Sequence, residues 1–276
     1  MNRKIIIFIV AVLISAFSKI SAQTNYTIVT NITTVTITNT VTVTNVVAPA
    51  PTPVVTNAPA KFPWVSSISL GLTLTKGNSD TLLFTAKFLT DKKTPINEYS
   101  FDVDGAYGEN DSVENVETLH GTAQWNHLFS DRLYGYLRAE GLHDGIADLD
   151  YRVTAGPGIG YYLIKEKQTT FSTEGGVSYI FQRLGGEDDS YATLRLAEKF
   201  EHKFNYHGVR FWESAEYLPE VDKFQNYLIN GEVGIESALS KNLNLQVYVD
   251  DNFNSEPAAG RKRNDIKLVS AVSYNF

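Results

Sequence analysis

The chain has 276 residues, of which 20% are charged, and its formal charge is −7. These values argue against a disordered polyanion, and they argue against a nucleic-acid-binding domain because such domains are usually basic. Its length fits one large domain or two small ones, and the absence of cysteine excludes disulfides, thiolate metal sites, cysteine nucleophiles and a cysteine-linked lipid anchor. Fifteen Tyr and fifteen Phe against one Met favour β-strands, in which aromatic residues are enriched.

Residues 1–22 have the features of a secretory signal peptide. Arg3 and Lys4 precede an apolar stretch that ends at Phe17, and small residues up to Ala22 suit cleavage. The stretch is shorter than the ~20 residues of a membrane-spanning helix, so an uncleaved anchor is the weaker alternative. Removal of the three basic residues of this segment takes the formal charge from −7 to −10. The sequence therefore predicts an exported, acidic protein.

Residues 23–63 form an extension rich in Thr, Asn, Val and Pro. Threonine alternates with Val or Ile over residues 33–38 and 40–44, a pattern that indicates extended chain. Five prolines between positions 49 and 63 favour a stiff linker. We interpret the extension as a periplasmic spacer. A self-associating β-rich segment is the alternative, because uncharged Thr/Val alternation promotes strand pairing.

From residue 64 to the end, apolar and polar residues alternate in segments of ten or more residues separated by turns, and helical periodicity is absent. This alternation predicts β-strands. We expect twelve strands, and an even number of antiparallel strands with short connections is typical of an up-and-down barrel. Their approximate bounds are 64–76, 80–91, 97–108, 115–129, 132–143, 150–164, 169–183, 190–204, 207–218, 224–239, 242–254 and 263–276.

Two all-β architectures fit this alternation, a transmembrane barrel and a soluble secreted sandwich. Transmembrane strands need ~9–11 residues, whereas sandwich strands average ~5–6, and the long segments here favour the single transmembrane barrel. One face of the strands is apolar and would meet lipid, while the other carries charges that would line the lumen. The predicted lumen charge network comprises Asp102, Asp104, Arg138, Glu140, Arg152, Glu174, Glu232 and Glu236.

The connections and the last strand add to the barrel prediction. Odd-numbered hairpins carry longer, mostly acidic connections, except for the basic run 261–263, and even-numbered turns are short and mostly basic. With both termini in the periplasm, the acidic rim faces outward. The closing strand ends with Val272, Tyr274 and Phe276 on one face. A terminal aromatic residue on such a strand resembles the signal that the outer-membrane barrel assembly machinery reads.

Three stretches resemble one known family. The sequences DRLYGYL at 131–137 and LDYRVTAGPGIGY at 149–161 are similar to the central motif of the salt-induced outer-membrane protein family. The stretch 242–276 resembles its C-terminal pattern, and KGNSD at 76–80 resembles its first hairpin turn. The resemblance covers about residues 64–276. It implies an outer-membrane β-barrel, a bacterial outer-membrane location and no particular reaction, and the salt-response role rests on the family name alone.

No catalytic, cofactor or metal site is predicted. A barrel phospholipase needs a Ser–His pair near the lipid face, and His127 has no obvious serine partner. The glycines between positions 156 and 160 fall at every second residue of a strand, which favours a smooth inner wall over a phosphate-binding loop. Acidic residues between 144 and 150 and at 187–189 leave calcium binding by the outer loops as an open alternative.

The sequence leaves two principal functions open. The first is a narrow porin-like channel for small solutes or ions, in which excess inner acid favours cations. The second is a closed-lumen structural or envelope-stress barrel, because inward acids and bases can pair and fill the lumen. We expect outer-membrane lipid and the barrel assembly machinery as partners in either case, and no nucleic acid.

Overall fold

The computed structural model describes residues 62–76, 81–110, 113–205 and 208–276. The predicted signal peptide and residues 23–61 of the extension lie outside the described residues. Among the described residues, no helix is long and apolar enough to cross a membrane. The strands are β1 (Val65–Lys76), β2 (Thr81–Lys93), β3 (Asn97–Asn110), β4 (Val113–Leu128), β5 (Leu133–Asp144), β6 (Leu149–Lys165), β7 (Thr169–Leu184), β8 (Glu187–Lys203), β9 (Arg210–Pro219), β10 (Tyr227–Ala238), β11 (Leu243–Asn254) and β12 (Asn264–Asn275).

The strands form a closed barrel in which each strand pairs with its sequence neighbours and β12 pairs with β1. The closing pair is antiparallel, from Ser67 opposite Asn275 to Lys76 opposite Ile266. Backbone hydrogen bonds in both directions between Ser66 and Phe276 extend it. Closure removes both sheet edges, which lipid could not satisfy. The predicted all-β fold, a single up-and-down antiparallel barrel of twelve strands, is confirmed.

The described part of the outer wall of the barrel is predominantly apolar. Side chains alternate between exposed and buried along β6, where Val153, Ile159 and Leu163 are exposed and Thr154 and Tyr162 are buried. A water-soluble protein rarely exposes a continuous apolar surface of this size, whereas a transmembrane barrel requires one. The core of the molecule is therefore the lumen, and the outer wall is the lipid-facing surface.

The two rims differ in their connections. We call the rim with the β1–β2, β3–β4, β5–β6, β7–β8, β9–β10 and β11–β12 connections the long-loop rim, and the opposite rim the short-turn rim. The β7–β8 connection is shorter than the sequence suggested, because Glu187–Lys203 continues as a strand. Its two turn residues, Gly185 and Gly186, have φ of 62° and 79°. This pair of positive φ values is the geometry of a two-residue hairpin turn that glycine adopts easily.

Candidate functional site in the barrel lumen

One side of the lumen is filled by three tyrosines. Tyr134, Tyr136 and Tyr162 form a buried cluster on β5 and β6. A Cβ atom at Gly158 would overlap the ring of Tyr136, and one at Gly160 would overlap the ring of Tyr134. The alternate glycines of β6 therefore form the smooth inner wall that the sequence suggested, against which the neighbouring strand packs its rings.

Buried hydrogen bonds hold these tyrosines to carboxylates on other strands. The Tyr162 hydroxyl donates to Glu98 Oε2 at 2.5 Å, from β6 to β3. The Tyr134 hydroxyl donates to Glu174 Oε1 at 2.9 Å, and Gln124 Nε2 donates to the same oxygen at 2.8 Å from β4. Because β3 and β6, like β4 and β7, are three strands apart in the barrel order, these bonds cross part of the lumen. They narrow any passage on this side.

An alternating series of charges runs on from this cluster. Arg195, 2% exposed, donates from Nη1 to Glu174 Oε2 at 2.7 Å and from Nε to Glu216. Glu216 Oε1 lies 3.9 Å from Arg138 Nε, and Arg138 Nη2 lies 2.6 Å from Glu140 Oε2. His120 then lies between two carboxylates. We call this series the ion-pair chain, and its members are Glu174, Arg195, Glu216, Arg138, Glu140, His120 and Asp104.

The other side of the lumen is lined by charges that water reaches. Lys87 on β2 is 25% exposed and lies 3.4 Å from both Asp102 on β3 and Glu232 on β10. Asp250 and Lys267, on the inner faces of β11 and β12, are 30% and 19% exposed and lie 3.9 Å apart. Since these side chains face inward, their exposure shows water-accessible space inside the barrel. We call the part lined by Lys87, Asp102, Glu232, Asp250 and Lys267 the hydrated sector.

Carboxylates predominate among the charges that line the described part of the lumen. The acids are Glu98, Asp102, Asp104, Glu140, Asp144, Glu174, Glu201, Glu216, Glu232, Glu236, Asp250 and Asp265, and the bases are Lys87, Arg138, Arg152, Lys165, Arg195, Lys199, Lys203, Arg210 and Lys267, together with His120. The excess of acid over lysine and arginine gives the lumen a negative potential, which favours cations.

One group of side chains has the composition of a metal site. Donor atoms of Asp102, Asp104 and His120 lie within 4.8 Å of one another. His120 Nδ1 lies 2.9 Å from Asp104 Oδ1, and its Nε2 lies 3.4 Å from Glu140 Oε1. Lys87 pairs with Asp102 at 3.4 Å. The group could hold a cation of the kind that imidazole and carboxylates bind, but these carboxylates already face a lysine and an imidazole.

All eight residues of the predicted lumen charge network lie on the inner face, in different surroundings. Glu174, Arg138, Glu140 and Asp104 belong to the ion-pair chain, while Asp102 and Glu232 line the hydrated sector. Glu236 pairs with Arg210, its Oε1 at 3.3 Å from the guanidinium Nε. Arg152 lies apart, and its Nε donates to Gln182 Oε1 at 2.8 Å.

Sequence reasoning missed several members of these groups. Glu98 has the same alternation parity as Asp102 and Asp104, so the pattern of β3 alone could have placed it in the lumen. Lys87 and Glu216 lie in segments whose alternation is less regular, and no sequence signal placed them opposite their partners. Contacts between strands that are distant in the barrel order depend on the diameter and register of the closed sheet.

The acidic residues of the long-loop rim do not form a three-ligand group among the described residues. Asp150 Oδ2 lies 3.1 Å from Arg183 Nε, and Asp188 lies 3.8 Å from Nη1 of the same arginine. Asp144 Oδ1 accepts backbone N–H groups at 2.8 and 3.1 Å within its own turn. The described residues of these loops therefore do not form a calcium site.

The β11–β12 connection lies over the long-loop mouth of the lumen. Its Ala258 is buried, and a Cβ atom at Gly185 of the β7–β8 turn would be 3.4 Å from the Ala258 Cβ. Lys223 of the β9–β10 connection holds it by an ion pair with Glu256 at 2.6 Å. This hydrogen bond raises the pKa of Lys223 above its ordinary value. The connection therefore restricts access to the lumen from this rim.

The C-terminal residues lie on the outer wall at the short-turn rim. Val272, Tyr274 and Phe276 are all exposed, and the rings of Tyr274 and Phe276 stack with centroids 6.3 Å apart. Other aromatic residues lie at the same rim, including Trp64, Trp125 and Phe129. The three residues thus belong to an aromatic band of the kind found at membrane interfaces.

Known structures share this architecture. The chain is similar to the NanC porin, with a TM-score of 0.52 and 7% sequence identity over 75% of this chain and 98% of that one. It is also similar to the KdgM porin in complex with disordered oligogalacturonate (TM-score 0.46, 11% identity, 76% and 99% of the two chains). An anion-selective porin from Comamonas acidovorans gives a TM-score of 0.41 with 6% identity, over 78% of this chain and 99% of that one.

At these sequence identities the similarity concerns the barrel fold alone, and it rests on the TM-score of 0.52 to the NanC porin. No curated protein matches the chain. A family model does match, over residues 68–276 and thus over every strand from β2 to β12 and most of β1. The chain therefore belongs to the DUF481 family, which is described as a protein of unknown function.

Proposed function

We propose that the protein is an outer-membrane β-barrel that forms a narrow, porin-like channel for small ions or solutes. The observation that carries this proposal is the hydrated sector, where inward charges remain exposed inside a closed barrel with an apolar outer wall. The excess of carboxylates in the lumen makes cations the favoured solutes. The porin name of the structural neighbour with the TM-score above 0.5 agrees with this reading of the fold.

The residues predicted from sequence take specific parts in this proposal. Asp102, Glu232 and Lys87 line the hydrated sector, so they act on permeating ions. The buried part of the ion-pair chain, at Glu174 and Arg195, keeps its side of the lumen closed. Val272, Tyr274 and Phe276 act as the signal for the barrel assembly machinery, residues 1–22 direct export, and the long-loop rim faces the outside of the cell.

Planar-bilayer recording of the purified barrel tests the channel. Lys87→Ala removes a side chain that bridges β2, β3 and β10, so we expect small conductance steps for the wild type and larger steps for the variant. Lys92→Ala is the matched control, because Lys92 lies on the same strand, 5.6 Å from the ring centre of Trp64 on the outer wall. Its conductance should equal that of the wild type. Absence of steps in both the wild type and Lys87→Ala would overturn the proposal.

The second candidate is a structural or envelope-stress barrel with a closed lumen. The ion-pair chain favours it, because buried pairs that cross a lumen brace a barrel and block passage. Flux of a small cation into liposomes that contain the barrel separates the two candidates: uptake above empty liposomes supports the channel, and none supports the structural barrel. A salt-response role has only the family resemblance behind it.

A further inference from the structure

A cavity of about 70 Å³ lies in the long-loop mouth of the lumen, outside the ion-pair chain and the hydrated sector. Arg152 on β6 and Asn230 on β10 contribute to its inner wall, and the segment 261–263 of the β11–β12 connection closes it toward the rim. A water molecule needs roughly 10–15 Å³ of such space, so the cavity holds a few waters or one small polyatomic group.

Arg152 in this cavity has no carboxylate partner among the described residues. Its Nε donates to Gln182 Oε1 at 2.8 Å, a neutral acceptor on the neighbouring strand. The other arginines of the inner wall differ in this respect, since Arg138, Arg195 and Arg210 all pair with glutamates. Glu140 and Asp144 act on Arg152 only from beyond ion-pair distance, and a guanidinium withdrawn from bulk water without a direct partner is costly. Its free N–H groups are therefore available to an acceptor in the cavity.

More cations border the same cavity from above. Arg261, Lys262 and Arg263 all line it, and they form the one basic run in an otherwise acidic set of long-loop connections. The run is held in place at its base, where the Arg263 carbonyl accepts the backbone N–H of Asn254 at 2.7 Å. A buried Ala258 and the Lys223–Glu256 ion pair fix the rest of the connection.

Lysine and arginine side chains outnumber the acids that line the cavity. Only two carboxylates, Asp144 and Asp265, are among the lining residues, against four lysine and arginine side chains. Asp144 Oδ1 is occupied by the backbone N–H groups of Ile146 and Ala147, at 3.1 and 2.8 Å. The cavity is therefore a positively charged pocket above a lumen in which carboxylates predominate.

We propose that this pocket binds a small oxyanion, the carboxylate or phosphate group of a solute or of a lipid headgroup, with Arg152, Arg261 and Arg263 as its ligands. Arginine presents several N–H donors in a fixed plane, which matches the paired oxygens of carboxylate and phosphate. Asn230 and Asn252 also line the wall, but their amides already donate to Glu216 and Asp250, both at 3.1 Å, so the arginines carry the site. Binding at this place does not depend on whether the lumen conducts.

Calorimetric titration of inorganic phosphate into the purified barrel tests the site, in a neutral detergent and at constant ionic strength set by chloride. We expect saturable binding to one site per chain in the wild type. Arg152→Gln should weaken it at least about tenfold, as expected for the loss of a charged hydrogen bond. Arg263→Gln should weaken it as well, and because Arg263 lies just before β12 its replacement leaves the strand alternation intact. Heat-modifiable migration on gels verifies that each variant is folded.

Arg183→Gln is the matched control. Arg183 lies at the same rim and carries the same charge, but it pairs with Asp150 at 3.1 Å and does not line the cavity. Its replacement should leave phosphate affinity unchanged. Equal weakening by Arg183→Gln and Arg152→Gln, or no saturable binding by the wild type, would overturn the proposal.

A second arm identifies the source of the oxyanion. The titration is repeated with the barrel in vesicles of zwitterionic lipid, with and without an anionic lipid. A phosphate affinity that falls when anionic lipid is present assigns the pocket to a headgroup. An unchanged affinity assigns it to a soluble solute, and either result supports the oxyanion site.

Discussion

Two carboxylates on the outer wall stand where lipid contact is expected. Glu198 on β8 has the alternation parity of Leu196 and Phe200, and Glu213 on β9 is paired with Phe200 in the register. Neither forms a hydrogen bond or an ion pair within the described part of the chain. A charge on the lipid face of a barrel destabilises it, more so toward the middle of the bilayer.

The lipid-facing position of Glu213 leads to a prediction for the variant Glu213→Leu. The change removes a lipid-facing carboxylate, so it should stabilise the barrel by about 1 kcal/mol, since acids cost less than the ~2–4 kcal/mol of lysine or arginine at the midplane. Guanidinium-induced unfolding in phospholipid vesicles measures the difference. The companion variant Glu216→Leu, on the inner face of the same strand, should destabilise by ~3–5 kcal/mol, because it leaves Arg195 short of one partner. A loss of stability in Glu213→Leu would contradict lipid contact at that position.

At the scale of single strands, β5 and β6 pack together because tyrosine rings of β5 lie directly over glycines of β6. Tyr136 and Tyr134 occupy the space over Gly158 and Gly160, and the Tyr134 and Tyr162 rings lie 5.1 Å apart. Glycine is unfavourable in a strand unless another group approaches closely, as these rings do. The filled side of the lumen therefore depends on the glycines of β6.

Gly158→Ala should therefore destabilise the barrel. The added methyl group overlaps the Tyr136 ring, and overpacking of this kind costs ~1–3 kcal/mol. The matched control is Gly141→Ala on β5, where a Cβ atom would meet nothing within 4 Å. Urea titration of both variants in the same detergent provides the comparison. If the two variants proved equally stable, the tyrosines would not be packed against β6 as described.

The strands themselves were largely predictable, because each barrel strand shows an alternation of apolar and polar residues in its own sequence. The alternation in β6 and β10 indicated their inner faces directly, and with them Arg152 and Glu232. Residues in β2 and β9 were harder to assign, since their alternation is weaker. The two-residue turn at Gly185 also escaped prediction, because the acidic run that follows it continues as a strand and pairs with β7.

At the scale of the whole molecule, closure between β1 and β12 makes the C-terminus a structural element. Ser66 and Phe276 exchange backbone hydrogen bonds at 3.2 and 2.9 Å. The Phe276 side chain itself is 64% exposed. Its ring therefore contributes little to packing, while its backbone completes the barrel. We therefore expect the Phe276 ring to act through contact with the membrane or during barrel assembly.

Phe276→Ala separates assembly from stability. It keeps the backbone bonds to Ser66 and removes only the ring, so refolding in detergent should change little. In cells the variant should reach the outer membrane at a clearly lower level and accumulate as a protease-sensitive periplasmic form. Phe129→Ala is the control, because that ring is 63% exposed at the same rim. Equal outer-membrane levels of Phe276→Ala, Phe129→Ala and the wild type would refute the targeting role.

The contacts across the lumen were the part that the sequence could not supply. The pairing of Lys87 with Glu232 and the approach of Arg138 to Glu216 join strands that are four apart in the barrel order. Such pairs depend on the diameter, tilt and stagger of the closed sheet, which strand alternation does not encode. The division of the lumen into a filled side and a hydrated sector emerges only at this scale.

The reversal potential of the purified barrel in a planar bilayer under a KCl gradient tests the central claim most directly. With carboxylates in excess along the inner wall, the potential should take the sign of potassium selectivity. Glu232→Gln should move it toward zero, because the change removes a negative charge from the hydrated sector. A reversal potential with the sign of chloride selectivity, or a bilayer that stays silent with folded barrel inserted, would contradict the account.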